Sequence, residues 1–115
     1  TLSQRRVPRR LKYFDQPTAV KISNDESKQC TVVEVITPDR PGVLARIGQV
    51  FLEFDLQLQN AKIATLGERV EDVFFITDRC GNPLWSESRH RELSEALRDS
   101  LDHSTNQDQR AGASA

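Results

Sequence analysis

Apolar and polar positions follow two different rhythms along this chain, and the switches between them mark its elements. Thr18-Ala19-Val20-Lys21-Ile22 reads as a short strand, closed by the polar run from Ser23 to Lys28. Cys30 to Thr37 is dominated by β-branched residues, the composition of a strand. Pro38-Asp39-Arg40-Pro41-Gly42 ends it, and Val43, Leu44, Ile47, Val50, Phe51 and Phe54 then fall on one stripe of a helix. Leu56 to Leu66 returns to strand, with a change of face near Asn60 that points to a bulge. Gly67-Glu68-Arg69 turns the chain, and Val70 to Asp78 supplies the second strand of that hairpin. Ser86 is placed to cap a last helix with Glu87 in its first turn, and Leu93, Leu97 and Leu101 give that helix a buried stripe.

Strand, strand, helix, strand, strand, helix makes a two-layer α+β sandwich. Its central portion resembles the ferredoxin-like βαββαβ arrangement, but no final strand follows Leu101. A strand over 18–23, hairpinned onto the first core strand, would lie where that closing strand usually sits. Val73-Phe74-Phe75-Ile76 is apolar on both faces of the sheet, since successive side chains point opposite ways. Two helices cover one face; the other is expected to need a second copy or a neighbouring domain.

Composition narrows the class. The chain has 115 residues, room for one domain. No apolar run approaches the ~18 residues of a membrane span, and no export signal opens the chain. Cys30 and Cys80 are too few for a disulfide framework or a zinc cluster, so a reduced, cytoplasmic setting is expected. The net charge of −1 argues against a surface-wide nucleic-acid footprint, although the first twelve residues hold five basic side chains and no acid. The expected organisation is a basic linker over 1–16, one domain over 17–104 and a disordered tail over 105–115. A chain that contains no Met and opens on Thr1 is expected to be a piece of something longer.

Catalytic signals are thin. His90 lies on the apolar side of the last helix and reads as a core-edge residue, and His103 is near a helix end. Ser86 and Ser88 lack a nucleophile-elbow setting. Glu71 and Asp72 alternate across a strand and read as a strand end facing water. Gly81-Asn82-Pro83 reads as a turn, and no metal-ligand spacing, phosphate loop or dinucleotide fingerprint appears.

One constellation stands out, Asp39-Arg40-Pro41-Gly42-Val43-Leu44 between strand and helix. Pro41 suits a first helical position and Asp39 can accept from the free N–H groups of the helix start. Gly42 allows a small ligand close to the backbone, and exposed N–H groups favour a carboxylate. The same residues would also make a well-built turn with no ligand at all.

That hexapeptide, after a β-branched strand and before an amphipathic helix, resembles the signature of ACT domains, small-molecule-sensing modules with the βαββαβ fold. Ala61 to Phe74 and Pro8 to Phe14 ahead of Pro17-Thr18 further resemble the C-terminal region of the bacterial bifunctional uridylyltransferase/uridylyl-removing family that acts on the nitrogen-signalling protein PII. The resemblance implies a ferredoxin-like ACT domain, with two helices on one face of a four-stranded antiparallel sheet and an N-terminal strand replacing the usual last one. It implies a glutamine-sensing regulatory domain without catalytic residues or cofactor of its own; Mg and UTP would belong to the parent's other domains. It places an effector between the 39–44 loop and the strand after the helix, where Gln57, Gln59 and Asn60 offer amides and Asp39 an acceptor for the ammonium. Glutamine, another ACT domain or a second copy, and PII through the parent are the implied partners, with neither nucleic acid nor membrane among them.

Other readings remain at this stage. A nucleic-acid-binding ferredoxin-like module would use Phe74 or Phe75, which Glu71, Asp72 and Asp78 bracket with the wrong charge. An acylphosphatase-type enzyme would need Arg40 and Asn60 over a phosphate loop. An ACT domain serving oligomerisation alone is the third.

Overall fold

The computed structural model describes residues 18–102; the linker over 1–16, the whole expected tail over 105–115, and Pro17, His103 and Ser104 lie outside them. Strand β1 (Ala19–Asp25) turns into β2 (Cys30–Pro38), and helix α1 (Val43–Glu53) follows. Then come β3 (Gln57–Lys62), the short β4 (Thr65–Leu66), β5 (Arg69–Thr77) and helix α2 (Glu87–Asp102). The sheet is antiparallel throughout, in the order β1-β2-β5-β3, with β4 continuing the β3 edge against β5. The N-terminal strand does take the outer place beside the first core strand: Val20 pairs with Val35 and Ile22 with Val33. Counting β4 separately, the sheet has five strands rather than four.

Alternation explains which face is buried. Val33 and Val35 on β2, and Val70, Phe74 and Ile76 on β5, point inward to Ile47, Val50, Phe51, Leu93, Leu97 and Leu101 of the two helices. The rings of Phe51 and Phe74 meet edge-on at 5.4 Å. The bulge falls where the apolar pattern slips, between Leu58 and Asn60, and it lets Leu58 and Ala61 both face the helices.

The outer sheet face is better covered than its sequence suggests. Phe75 points there yet is only 9 % exposed, with the ammonium groups of Lys28 and Lys62 4.9 and 5.7 Å from its ring centroid. Large apolar groups are open along the β3–β4 edge, where Leu58, Ile63 and Leu66 are each about half exposed, and also at Leu44, Leu52 and Trp85.

Candidate functional site

The 39–44 loop folds differently from the N-terminal cap expected of it. Arg40 to Val43 form a tight turn in which Gly42 has φ 85° and ψ 3°, the third position of a type II turn, with Pro41 before it. The Val43 N–H donates across the turn to the Arg40 carbonyl at 3.4 Å. Helix α1 therefore starts at Val43, and Pro41 is a turn residue rather than the first helical one. Asp39 does not cap: the N-cap residue is Gly42, no side chain bonds the helix start, and the Asp39 N–H donates to the Glu68 carbonyl at 2.7 Å. Arg46 N–H reaches the Gly42 carbonyl at 3.0 Å, while the N–H groups of Leu44 and Ala45 meet no acceptor among the described residues.

Beside this open start lies a cavity of about 240 Å³, walled by Asp39 to Ala45 without Pro41, by Ile63 and Thr65 of the edge, and by Val70 and Asp72 of β5. Asp72 is the residue the sequence reading misplaced. It is 1 % exposed, not facing water, because it shares its parity with the inward-facing Val70, Phe74 and Ile76. Its Oδ1 accepts the Ala64 N–H at 3.2 Å, between β3 and β4, while Ala64 returns its carbonyl to Glu71 N–H at 2.8 Å. Its Oδ2 is buried and has no hydrogen-bond partner among the described residues. Burial pushes the Asp72 carboxyl pKa up, the Ala64 N–H opposes that, and the nearby Asp39 charge adds to it.

The amides assigned to the site are elsewhere. Gln57 donates to the Arg79 carbonyl at 3.3 Å, Gln59 to the Thr77 hydroxyl at 3.1 Å, and Asn60 Oδ1 accepts its neighbour Ala61's N–H at 2.8 Å. Gln59 and Asn60 line a separate hollow with Lys28, Cys30, Phe75 and Thr77, at the opposite end of β5 from Asp72. The bulge and the strand's length carry them away from the loop. Asp39, Arg40, Gly42, Val43 and Leu44 thus converge on one cavity, and Gln57, Gln59 and Asn60 do not join them. Arg40, apart from lining the cavity, sends Nη2 to the Leu101 carbonyl at the end of α2, 3.0 Å away.

The competing readings lose their residues here. Phe74 and Phe75 are both buried and offer no stacking surface for a base. Arg40 and Asn60 line different hollows, so they do not face one phosphate. His90 is a half-buried core-edge residue whose Nε2 lies 2.6 Å from the Leu84 carbonyl.

The fold defines a small α+β module of ferredoxin-like type. The chain belongs to the ACT domains: residues 26–104 match the family described as the ACR family N-terminal ACT domain. Its relatives include proteins named bifunctional uridylyltransferase/uridylyl-removing enzyme. That of Pseudomonas putida is 61% identical over 97 residues, that of Pseudomonas fluorescens 62% and that of Stutzerimonas stutzeri 58%, each match covering 84% of this chain and 11% of the relative. The chain spans about a tenth of the length of those relatives.

Proposed function

We propose that this chain is a non-catalytic, glutamine-sensing domain that regulates a longer cytoplasmic enzyme, setting the balance between attaching UMP to PII and removing it. Family membership and the names of the relatives support the regulatory role. The observation that carries the sensing is the cavity at the α1 start, which joins two unused backbone donors to a buried, half-unpaired carboxylate. Its volume lies just below the roughly 300–1,000 Å³ of pockets for drug-sized ligands, a scale suited to one amino acid. Leu44 and Ile63 are each 50 % exposed on its walls, an apolar rim on which a second ACT domain can close.

Transmission follows the polar contacts. Arg40 ties the loop to the end of α2, and the next residue there, Asp102, accepts the Thr18 N–H at 2.9 Å and its hydroxyl at 2.6 Å. Thr18 Oγ1 also meets Thr37 Oγ1 at 2.8 Å, on the strand that leads into the loop. A ligand that shifts the loop therefore acts on the point where residues 1–17 enter the domain, which is a coupling free energy between sites. Mg and UTP belong to the parent's catalytic domains in this reading.

Calorimetry of the chain with glutamine, other amino acids, nucleotides and single-stranded RNA tests it. Saturable binding of glutamine alone is expected; binding of nucleotide or RNA instead overturns it. A second reading, oligomerisation without a ligand, is favoured by the half-exposed Leu58, Ile63 and Leu66 along the free β3–β4 edge. Self-association by sedimentation with no amino acid bound in calorimetry would establish that one.

A further inference from the structure

A carboxylate shielded from water is held in place by hydrogen bonds and opposite charge, and Asp72 is short of both. It is 1 % exposed, one of its oxygens takes a single N–H from Ala64, and the other has no partner among the described residues. The neighbouring charged groups on the cavity wall do not supply what is missing: Asp39 repeats the negative charge, and the Arg40 guanidinium reaches to the Leu101 carbonyl. A structural aspartate at this point of β5 would need only Oδ1, which stands in for a strand acceptor opposite Ala64. The second oxygen is superfluous to the fold, and Asp72 lines the cavity that the α1 start also lines.

We infer that Asp72 is the ammonium-binding residue of this cavity, so that the site takes an α-amino acid as a zwitterion and rejects the same molecule without its α-ammonium. The ammonium sits against Asp72 Oδ2, and the α-carboxylate takes the N–H groups of Leu44 and Ala45 at the positive end of the helix. This assignment replaces Asp39 as the ammonium acceptor, because Asp39 is exposed and a water-screened charge discriminates less than a buried one. It also sets a preference: an amine or an α-carboxylate alone satisfies one half of the site and leaves the other half unpaired. The inference rests on the amino-acid-sensing reading above, but not on the identity of the amino acid.

The test is calorimetry of the 115-residue chain and of Asp72→Asn with glutamine, a panel of other α-amino acids, and glutaramate, which is glutamine lacking its α-ammonium. Asparagine keeps the oxygen for Ala64 and removes the charge. The wild-type chain is expected to bind the zwitterion at least about tenfold more tightly than the ammonium-free analogue, the usual weight of one charge-assisted hydrogen bond. Asp72→Asn is expected to lose that preference while binding the analogue as before, an effect that mere loosening of the fold does not produce. Should the variant fail to fold, carbon-13 detection of the wild-type Asp72 carboxyl gives the same answer: its signal moves with the zwitterion and stays put with glutaramate. Equal binding of both ligands by the wild-type chain, or unchanged preference in Asp72→Asn, overturns the inference and leaves glutamine sensing standing. Asp72-dependent binding of another amino acid in place of glutamine does the reverse. Absence of any α-amino-acid binding that depends on Asp72 rejects the assignment.

Discussion

The two helices of this domain begin in opposite ways. Helix α2 has a side-chain cap and an acid at its start: Ser86 Oγ accepts the Arg89 N–H at 3.4 Å, Glu87 lies in the first turn, and His90 Nε2 lies by the Leu84 carbonyl. Helix α1 has no capping side chain and no acid in its first turn, and it opens from a left-handed glycine onto a cavity with a buried carboxylate. Both helices bury one apolar stripe against the same sheet, so packing does not explain the difference. Each start leaves early N–H groups without an intrahelical acceptor, but only at α1 do they border a cavity that a buried carboxylate also lines, the difference on which the proposed amino-acid site rests.

The contrast is broken most severely at Gly42. A valine there must adopt a φ of 85°, which costs an L residue roughly 1–3 kcal/mol, more for a β-branched one. Steric obstruction is not the main effect, since a Cβ would meet only the Arg46 side chain, at 3.9 Å. Gly42→Val is therefore expected to lower the unfolding midpoint as well as abolish glutamine binding. Gly42→Asn, which tolerates the left-handed region, should separate the two. Gly48, in the middle of α1, has open space around its Cβ position and no positive φ; Gly48→Ala should stabilise by about 0.5–1 kcal/mol and leave binding unchanged. Denaturant titration of the four chains decides it, and a Gly42→Val as stable as wild type refutes the turn assignment.

Much of this architecture was legible in the residues, and the failures have physical causes. The apolar stripes of both helices, the hairpin of β1 on β2 and the bulge beside Asn60 all follow from where periodicity holds or slips. Pro41-Gly42 suits a helix entry because proline fits a first helical turn; the same pair fills the two central positions of a type II turn, and local sequence does not separate these. Asp72 carried a usable signal, the shared parity with Val70, Phe74 and Ile76, which composition obscured by making an acid beside Glu71 look like a wet strand end. That Gln57, Gln59 and Asn60 lie away from the cavity follows from the three-dimensional span of β5, which no spacing along the chain reports.

The closed start gives a smaller effect. Ser86→Ala removes the Arg89 bond, and at 3.4 Å that cap is a long one, so a loss of about 0.5–1 kcal/mol is expected. Amino-acid affinity should not move, because Ser86 has no place on the cavity wall. A Ser86→Ala chain with weakened binding would mean that the two starts are coupled and the contrast between them is false.

The smallest stability change, and the finest test, is Asp39→Ala. If Asp39 capped α1, its loss would cost about 1 kcal/mol; since it caps nothing and its backbone bond to Glu68 survives, no such loss is expected, and relief of its repulsion of Asp72 makes the chain slightly more stable at neutral pH. The effect appears instead in the pH profile of Asp72. Burial first, and the Asp39 charge after it, raise the Asp72 pKa above the ordinary 3.8, so between that value and the raised one the native state holds more protons than the unfolded chain. In that window the Asp72 contribution to stability falls as pH rises, the opposite of a salt-bridged aspartate, and above it the penalty is fully present. Arg40, the other charged group on that wall, has its guanidinium on the Leu101 carbonyl and is present in all three chains, so it does not distinguish them. Removing Asp39 lowers the upper edge of the window without closing it, because burial persists; Asp72→Asn abolishes the window altogether. Unfolding free energies measured across the acid range for wild type, Asp39→Ala and Asp72→Asn should therefore show a steep, a shallower and an absent Asp72 component. Identical profiles for the first two chains would show that Asp39 and Asp72 do not share one cavity field, and the open start of α1 would lose its claim to be a single site.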